Sequence, residues 1–101
     1  MLDGICVAID EERIVAFCRQ HHIVKLWFFG SVLRDDFRPE SDVDVLVEFE
    51  RGMTPGWEFV DLRDELARLL GRPVDLLTVA SLRNPFRRQE ILRTRRLAYA
   101  A

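Results

Sequence analysis

Two cysteines, Cys6 and Cys18, are all that 101 residues contain, and they form no Cys-x-x-Cys pair. A disulfide scaffold is therefore not expected, and both thiols read as reduced apolar fillers of a cytosolic protein. Long hydrophobic runs are missing too. The longest, about seven residues around Trp27, is far short of the ~20 a spanning helix needs, and no charged-then-apolar leader precedes a small-residue cleavage site. The expectation is a cytoplasmic chain without membrane contact. There are no repeats, low-complexity tracts or linkers, and 11.8 kDa leaves no room for a second lobe. Residues 1–101 are read as one domain, their 49% hydrophobic content being enough for a single core.

The net charge of −2 conceals an uneven distribution. Residues 1–80 carry nine Arg or Lys against sixteen Asp or Glu, whereas residues 81–101 carry six arginines (Arg83, Arg87, Arg88, Arg93, Arg95 and Arg96) against Glu90 alone. A basic tail of this kind is either a solvated helix face or a docking surface for an acidic partner. It lacks the interleaved aromatics that stack bases, so nucleic acid is disfavoured.

Chemistry concentrates between residues 23 and 49. The apolar run Ile23-Val24-Lys25-Leu26-Trp27-Phe28-Phe29 leads into Gly30-Ser31, and ten residues later Asp42-Val43-Asp44 heads a second apolar run. In a strand, alternate side chains share a face, so Asp42 and Asp44 project together while Val43, Val45 and Val47 enter a core. Two carboxylates so placed repel each other without a cation; Mg²⁺ completed by triphosphate oxygens makes sense of them. Glycine lets the chain turn sharply off the first strand, and the amides of that turn with the Ser31 hydroxyl suit phosphate oxygens. Asp75, alone among Val74, Leu76, Leu77 and Val79, is a carboxylate in an apolar strand that asks for a partner: a metal, an attacking hydroxyl, or an arginine such as Arg34.

Around these residues the pattern predicts scaffold. Asp10 caps a helix running to about His21, with Ile14, Phe17, Cys18 and His21 as its buried stripe. His21 and His22 are adjacent, diverge in direction and find no further histidine, so they read as structural or surface residues. Thr54-Pro55 is expected to open a helix with Phe59, Leu62, Leu66, Leu69 and Leu70 inward, ended by Gly71 and Pro73. From Pro85, Phe86, Ile91, Leu92 and Leu97 suggest a last helix, followed by an edge strand over Leu97 to Ala100.

The stretch from Leu26 to Phe49, containing Gly30-Ser31 and Asp42-Val43-Asp44, together with Gly71-Arg72-Pro73-Val74-Asp75-Leu76-Leu77-Thr78, resembles the signature of the minimal nucleotidyltransferases in the DNA polymerase β-like superfamily. The resemblance implies an α/β fold, a short mixed sheet with helices against one face, and transfer of AMP from ATP to a hydroxyl with release of pyrophosphate. It implies Asp42, Asp44 and Asp75 as catalytic residues and ligands of one or two Mg²⁺ ions, and Gly30, Ser31 and Arg34 as nucleotide-binding residues. The acceptor it implies is a tyrosine of a small helical HEPN-domain toxin, the chain acting as antitoxin in a hetero-oligomer or with a second copy of itself. Two departures, Val32 where the family often has Arg or Ala and Asp35 where it often has Gly, lean toward a rival: a module that neutralises its partner by binding alone. Nucleotidyl transfer to a small molecule is a second rival.

Overall fold

The computed structural model describes residues 10–33 and 41–101. Cys6, Arg34, Asp35, Asp36 and Arg38 lie outside the described residues, as does the side chain of Ser31.

The first helix, α1 (Glu11–Gln20), begins where the sequence predicts, with the Asp10 carboxylate accepting the Arg13 N–H at 3.3 Å. Ile14, Phe17 and Cys18 form its buried stripe. His21 stacks on Phe17 with ring centroids 4.9 Å apart, and its Nε2 lies 3.1 Å from Glu65 Oε2. It is a structural residue. His22, at φ 60°, turns the chain into strand β1 (Ile23–Phe29).

After β1 come a 3₁₀ turn (Gly30–Leu33), strand β2 (Val43–Phe49), helix α2 (Phe59–Leu70), strand β3 (Val74–Thr78), helix α3 (Pro85–Thr94) and strand β4 (Arg96–Ala100). The sheet runs β3-β2-β1-β4. β1 pairs antiparallel with both β2 and β4, whereas β2 and β3 are parallel, joined by the α2 crossover that parallel strands require. β1 is thus interior, in keeping with its apolar character, and β4 is an edge.

Strand alternation sorts the core into two layers. Leu26 and Phe28 of β1 and Val43, Val45 and Val47 of β2 pack with Ile14 and Phe17 of α1 and Leu62, Leu66 and Leu70 of α2. The opposite face holds a smaller cluster of Trp27, Phe29, Leu46, Leu82 and Ile91. α1 and α2 take the face expected for the helices; α3 lies over the other, where Ile91 and Leu92 cover the sheet.

Two expectations are corrected. α2 starts at Phe59 with Glu58 at its N-cap, not at Thr54-Pro55, because Gly56, a poor helix former, interrupts the segment and its carbonyl accepts the Phe59 N–H in a tighter turn. Phe86 is not part of a buried stripe: it is 84% exposed, and Leu97 is half exposed. Gly71, in the left-handed region at φ 69°, closes α2 as expected. Cys18 is free and fully buried, and burial pushes its thiol pKa up from 9.0 to about 12. No helix among the described residues is long and apolar enough to cross a membrane.

Candidate functional site

Register brings the acidic residues together. Phe29 of β1 pairs with Asp44 of β2, and Asp44 pairs with Asp75 of β3. Paired residues on neighbouring strands share a face, so Phe29, Asp44 and Asp75 form one row across the sheet on the side of Trp27 and Leu46. Adjacent strands lie about 4.8 Å apart, which puts the two carboxylates within reach of one small cation. Both are partly exposed, unlike the apolar residues behind them.

Gly30 fits against this row for a reason its side-chain hydrogen makes plain. It leaves β1 at φ 75°, in the region that L side chains rarely adopt. A Cβ built on it would collide with the Asp44 carboxylate oxygen and lie 3.2 Å from Asp44 Cγ. The glycine therefore does two things: it turns the chain, and it lets the backbone of the turn approach the carboxylate. Ser31 follows in the same 3₁₀ turn.

Asp42 is less integrated. It lies exposed one residue before β2, where the Val43 N–H bonds the Pro73 carbonyl at 2.9 Å. Among the described residues no group of three His, Cys, Asp or Glu side chains is gathered as a metal cage. Mg²⁺ carried in by a nucleotide uses one or two carboxylates, with phosphates and waters supplying the rest. The residues present fit such an ion: two hard oxygen donors side by side on a sheet, open on the solvent side.

Sequence reasoning missed the other wall. A cavity of about 510 Å³ adjoins Gly30, bounded by Phe29, Gly30 and Leu33 on the sheet side and by Ile91, Arg93, Arg95 and Arg96 on the α3 side. The Arg95 guanidinium carbon lies 4.5 Å from the centre of the Trp27 ring, a cation–π contact that fixes it over the same sheet face. The arginine cluster is visible in the sequence; its position beside Gly30 depends on α3 folding back over β1, which no local pattern encodes.

Comparison with known proteins agrees with this geometry. The profile described as "Nucleotidyltransferase domain" matches residues 11–98. The chain is 34% identical over 73 residues to "Putative protein adenylyltransferase MJ1379" of Methanocaldococcus jannaschii, covering 71% of this chain and 73% of that protein. It is 41% identical over 56 residues to "Protein adenylyltransferase MntA" of Thermococcus cleftensis, covering 55% and 56%. The fold is similar to a toxin-antitoxin crystal structure with AMP-PNP, with TM-score 0.74, 20% identity, and coverage of 92% of this chain and 75% of that one. It is also similar to the complex of a tri-AMPylated Shewanella oneidensis HEPN toxin with its MNT antitoxin, with TM-score 0.65, 20% identity, and coverage of 90% and 70%. With the profile spanning most of the sequence and the carboxylate row set against a glycine turn, this chain belongs to the nucleotidyltransferase domain family.

Proposed function

We propose that this protein transfers AMP from ATP to a tyrosine hydroxyl of a small helical HEPN toxin and thereby acts as its antitoxin. The observation that carries the reading is Gly30 turned tightly against Asp44, with Asp75 in register beside it. The names of the relatives, protein adenylyltransferases, and the toxin-antitoxin assemblies of the fold neighbours support the choice of acceptor.

In this reading Asp44 and Asp75, with Asp42 at the head of β2, hold Mg²⁺, which when bound neutralises charge on the transferring phosphoryl group. The Gly30-Ser31 turn cradles the β- and γ-phosphates through its backbone amides, and Arg34 binds the nucleotide from the segment that follows. The tyrosine oxygen forms a bond to the α-phosphorus as the bond to the bridging oxygen breaks, and pyrophosphate leaves. The tyrosine proton passes to solvent, or to Asp75 where that carboxylate serves as the base in place of a metal ligand. Positioning and charge neutralisation suffice for such a step, and no covalent enzyme intermediate forms.

One structural observation favours the rival binding module: Asp42 stands exposed, one residue before the β2 ladder begins. Pyrophosphate release decides between the two. The reading requires release from MgATP that depends on the toxin and is lost in Asp42→Asn/Asp44→Asn. Toxin silenced equally well by the double variant, with no pyrophosphate formed, establishes binding alone; release with an aminoglycoside-like small molecule and no toxin present establishes the other rival.

A further inference from the structure

We propose that two copies of this chain pair about a two-fold axis beside the outer edge of β4, joining their sheets into one and setting α1 of each copy antiparallel against α1 of the other. The inference is independent of the adenylyl-transfer reading.

Among the described residues, β4 bonds β1 on one side and meets no strand on the other. An edge of this kind offers a row of backbone donors and acceptors that another strand fits. Charge and proline are the usual devices that blunt an edge, and after Arg96 the strand has neither: it continues Leu97, Ala98, Tyr99, Ala100. Its register against β1 shifts once, between Leu26 and Trp27. The Ala101 N–H bonds the Val24 carbonyl at 2.8 Å, so by the alternation of an antiparallel ladder the Ala100 N–H points away from β1.

Helix α1 selects a second copy as the occupant. It packs over β1 and β4, where Ala98 and Tyr99 join the core of Ile14, Phe17 and Cys18. α2 flanks it on one side through the contact of His21 with Glu65. Val15 lies about 120° around the helix from His21, turned toward the open edge. A shallow cavity of about 430 Å³ on this outer face is lined by Glu11, Glu12, Val15, Ala16 and Arg19. Glu12 and Arg19 stand three and a half residues either side of the midpoint between Val15 and Ala16. Antiparallel pairing about that midpoint sets Glu12 of each copy opposite Arg19 of the other, with Val15 facing Ala16 between them. Both charged residues are exposed, and neither has an ion pair of its own among the described residues.

The dimensions agree. With strands about 4.8 Å apart, an axis midway between two β4 strands lies about 2.4 Å from β4 and about 7 Å from β1. A helix above the midline of those two strands then stands about 5 Å from the axis and about 10 Å from its mate, the separation of packed helices. Val15 and Ala16 lie about 7 Å back from the end of α1, as Lys25 lies about 7 Å into β1, so the helix midpoint is level with Ala100, the partner of Lys25. An axis perpendicular to the sheet keeps the rows of Phe29, Asp44 and Asp75 of both copies on one side of the joined sheet, away from the α1 contact.

The test is sedimentation equilibrium of the intact chain and its variants. The wild type should weigh twice 11.8 kDa. Glu12→Arg and Arg19→Glu should each weaken dimerisation roughly tenfold, since each turns two cross-copy attractions into repulsions. An equimolar mixture of these two variants, and the double variant Glu12→Arg/Arg19→Glu, should regain wild-type affinity because Glu again faces Arg. Ala100→Pro removes the outward N–H and should be monomeric. The charge variants change exposed side chains only, so they keep the test decisive if the proline disturbs the fold. A wild type that is monomeric at every concentration overturns the pairing, whether or not a toxin binds. So does a dimer that neither single charge reversal weakens, one that the mixture fails to restore, or one that a folded Ala100→Pro leaves intact.

Discussion

Replacing Gly30 by alanine separates backbone conformation from function, because two other glycines serve as controls. Gly30, Gly52 and Gly71 all have positive φ, at 75°, 81° and 69°. A Cβ on Gly52 or Gly71 meets nothing within 4 Å, whereas one on Gly30 meets the Asp44 carboxylate. An alanine forced into the left-handed region costs about 1–2 kcal/mol, which should be the whole effect at Gly52 and Gly71. For a domain of this size each kcal/mol lowers Tm by about 4–8 °C. Gly30→Ala should be worse by the cost of displacing Asp44, a total of about 2–4 kcal/mol. It should also lose most of its ligand stabilisation. At a hundredfold excess over Kd, MgATP adds about 2.7 kcal/mol to a protein that binds it only when folded. Thermal melts with and without MgATP provide both readouts. Gly52→Ala and Gly71→Ala should fall in Tm yet keep the full MgATP increment; Gly30→Ala should lose both. If Gly30→Ala melts with the controls and gains as much from MgATP as the wild type, the close approach of the turn to Asp44 has no functional meaning.

The remaining predictions follow from other parts of the fold. Asp42→Asn/Asp44→Asn should lose the MgATP increment in Tm; an increment equal to wild type refutes the carboxylate assignment. Leu66→Ala, at a fully buried position between α2 and the sheet, should cost about 2–5 kcal/mol in urea unfolding, and a loss under 1 kcal/mol would contradict the packing described. Asn84→Ala, which removes the acceptor of the Phe86 and Arg87 N–H groups, should cost about 1 kcal/mol by the same assay. The folded-state pKa of Cys18, about 12 against 9.0, means that the folded chain holds the thiol proton over a range where the unfolded chain releases it. This contribution is fully present below pH 9 and is lost as pH rises toward 12, at up to about 1.4 kcal/mol per pH unit. Cys18→Ala should show a shallower alkaline decline, and an unchanged slope would refute it.

What could be read from the sequence depended on the range of the cause. Asp10 and Gly71 were legible as helix ends because capping acts within a few residues. The alternation Val43, Val45, Val47 against Asp44 and Leu46 was legible because the period of a strand is two. The Thr54-Pro55 start failed because a locally favourable cap and proline were outweighed by Gly56. Asp44 and Asp75 were recognisable as candidates, but their pairing follows from parallel register through the α2 crossover, a long-range fact. Asp42, equal to Asp44 in the sequence pattern, lies just outside the ladder. The arginine-lined cavity was least legible, since Phe29 and Arg95 meet only after the whole sheet has formed.

The central claim is chemical: this chain places AMP on a protein hydroxyl. Intact-mass spectrometry of a HEPN toxin, incubated with the chain and MgATP, tests it most directly. The account predicts a gain of about 329 Da per adenylyl group transferred, located on tyrosine and absent with Asp42→Asn/Asp44→Asn. A toxin that is bound and silenced at unchanged mass would contradict it.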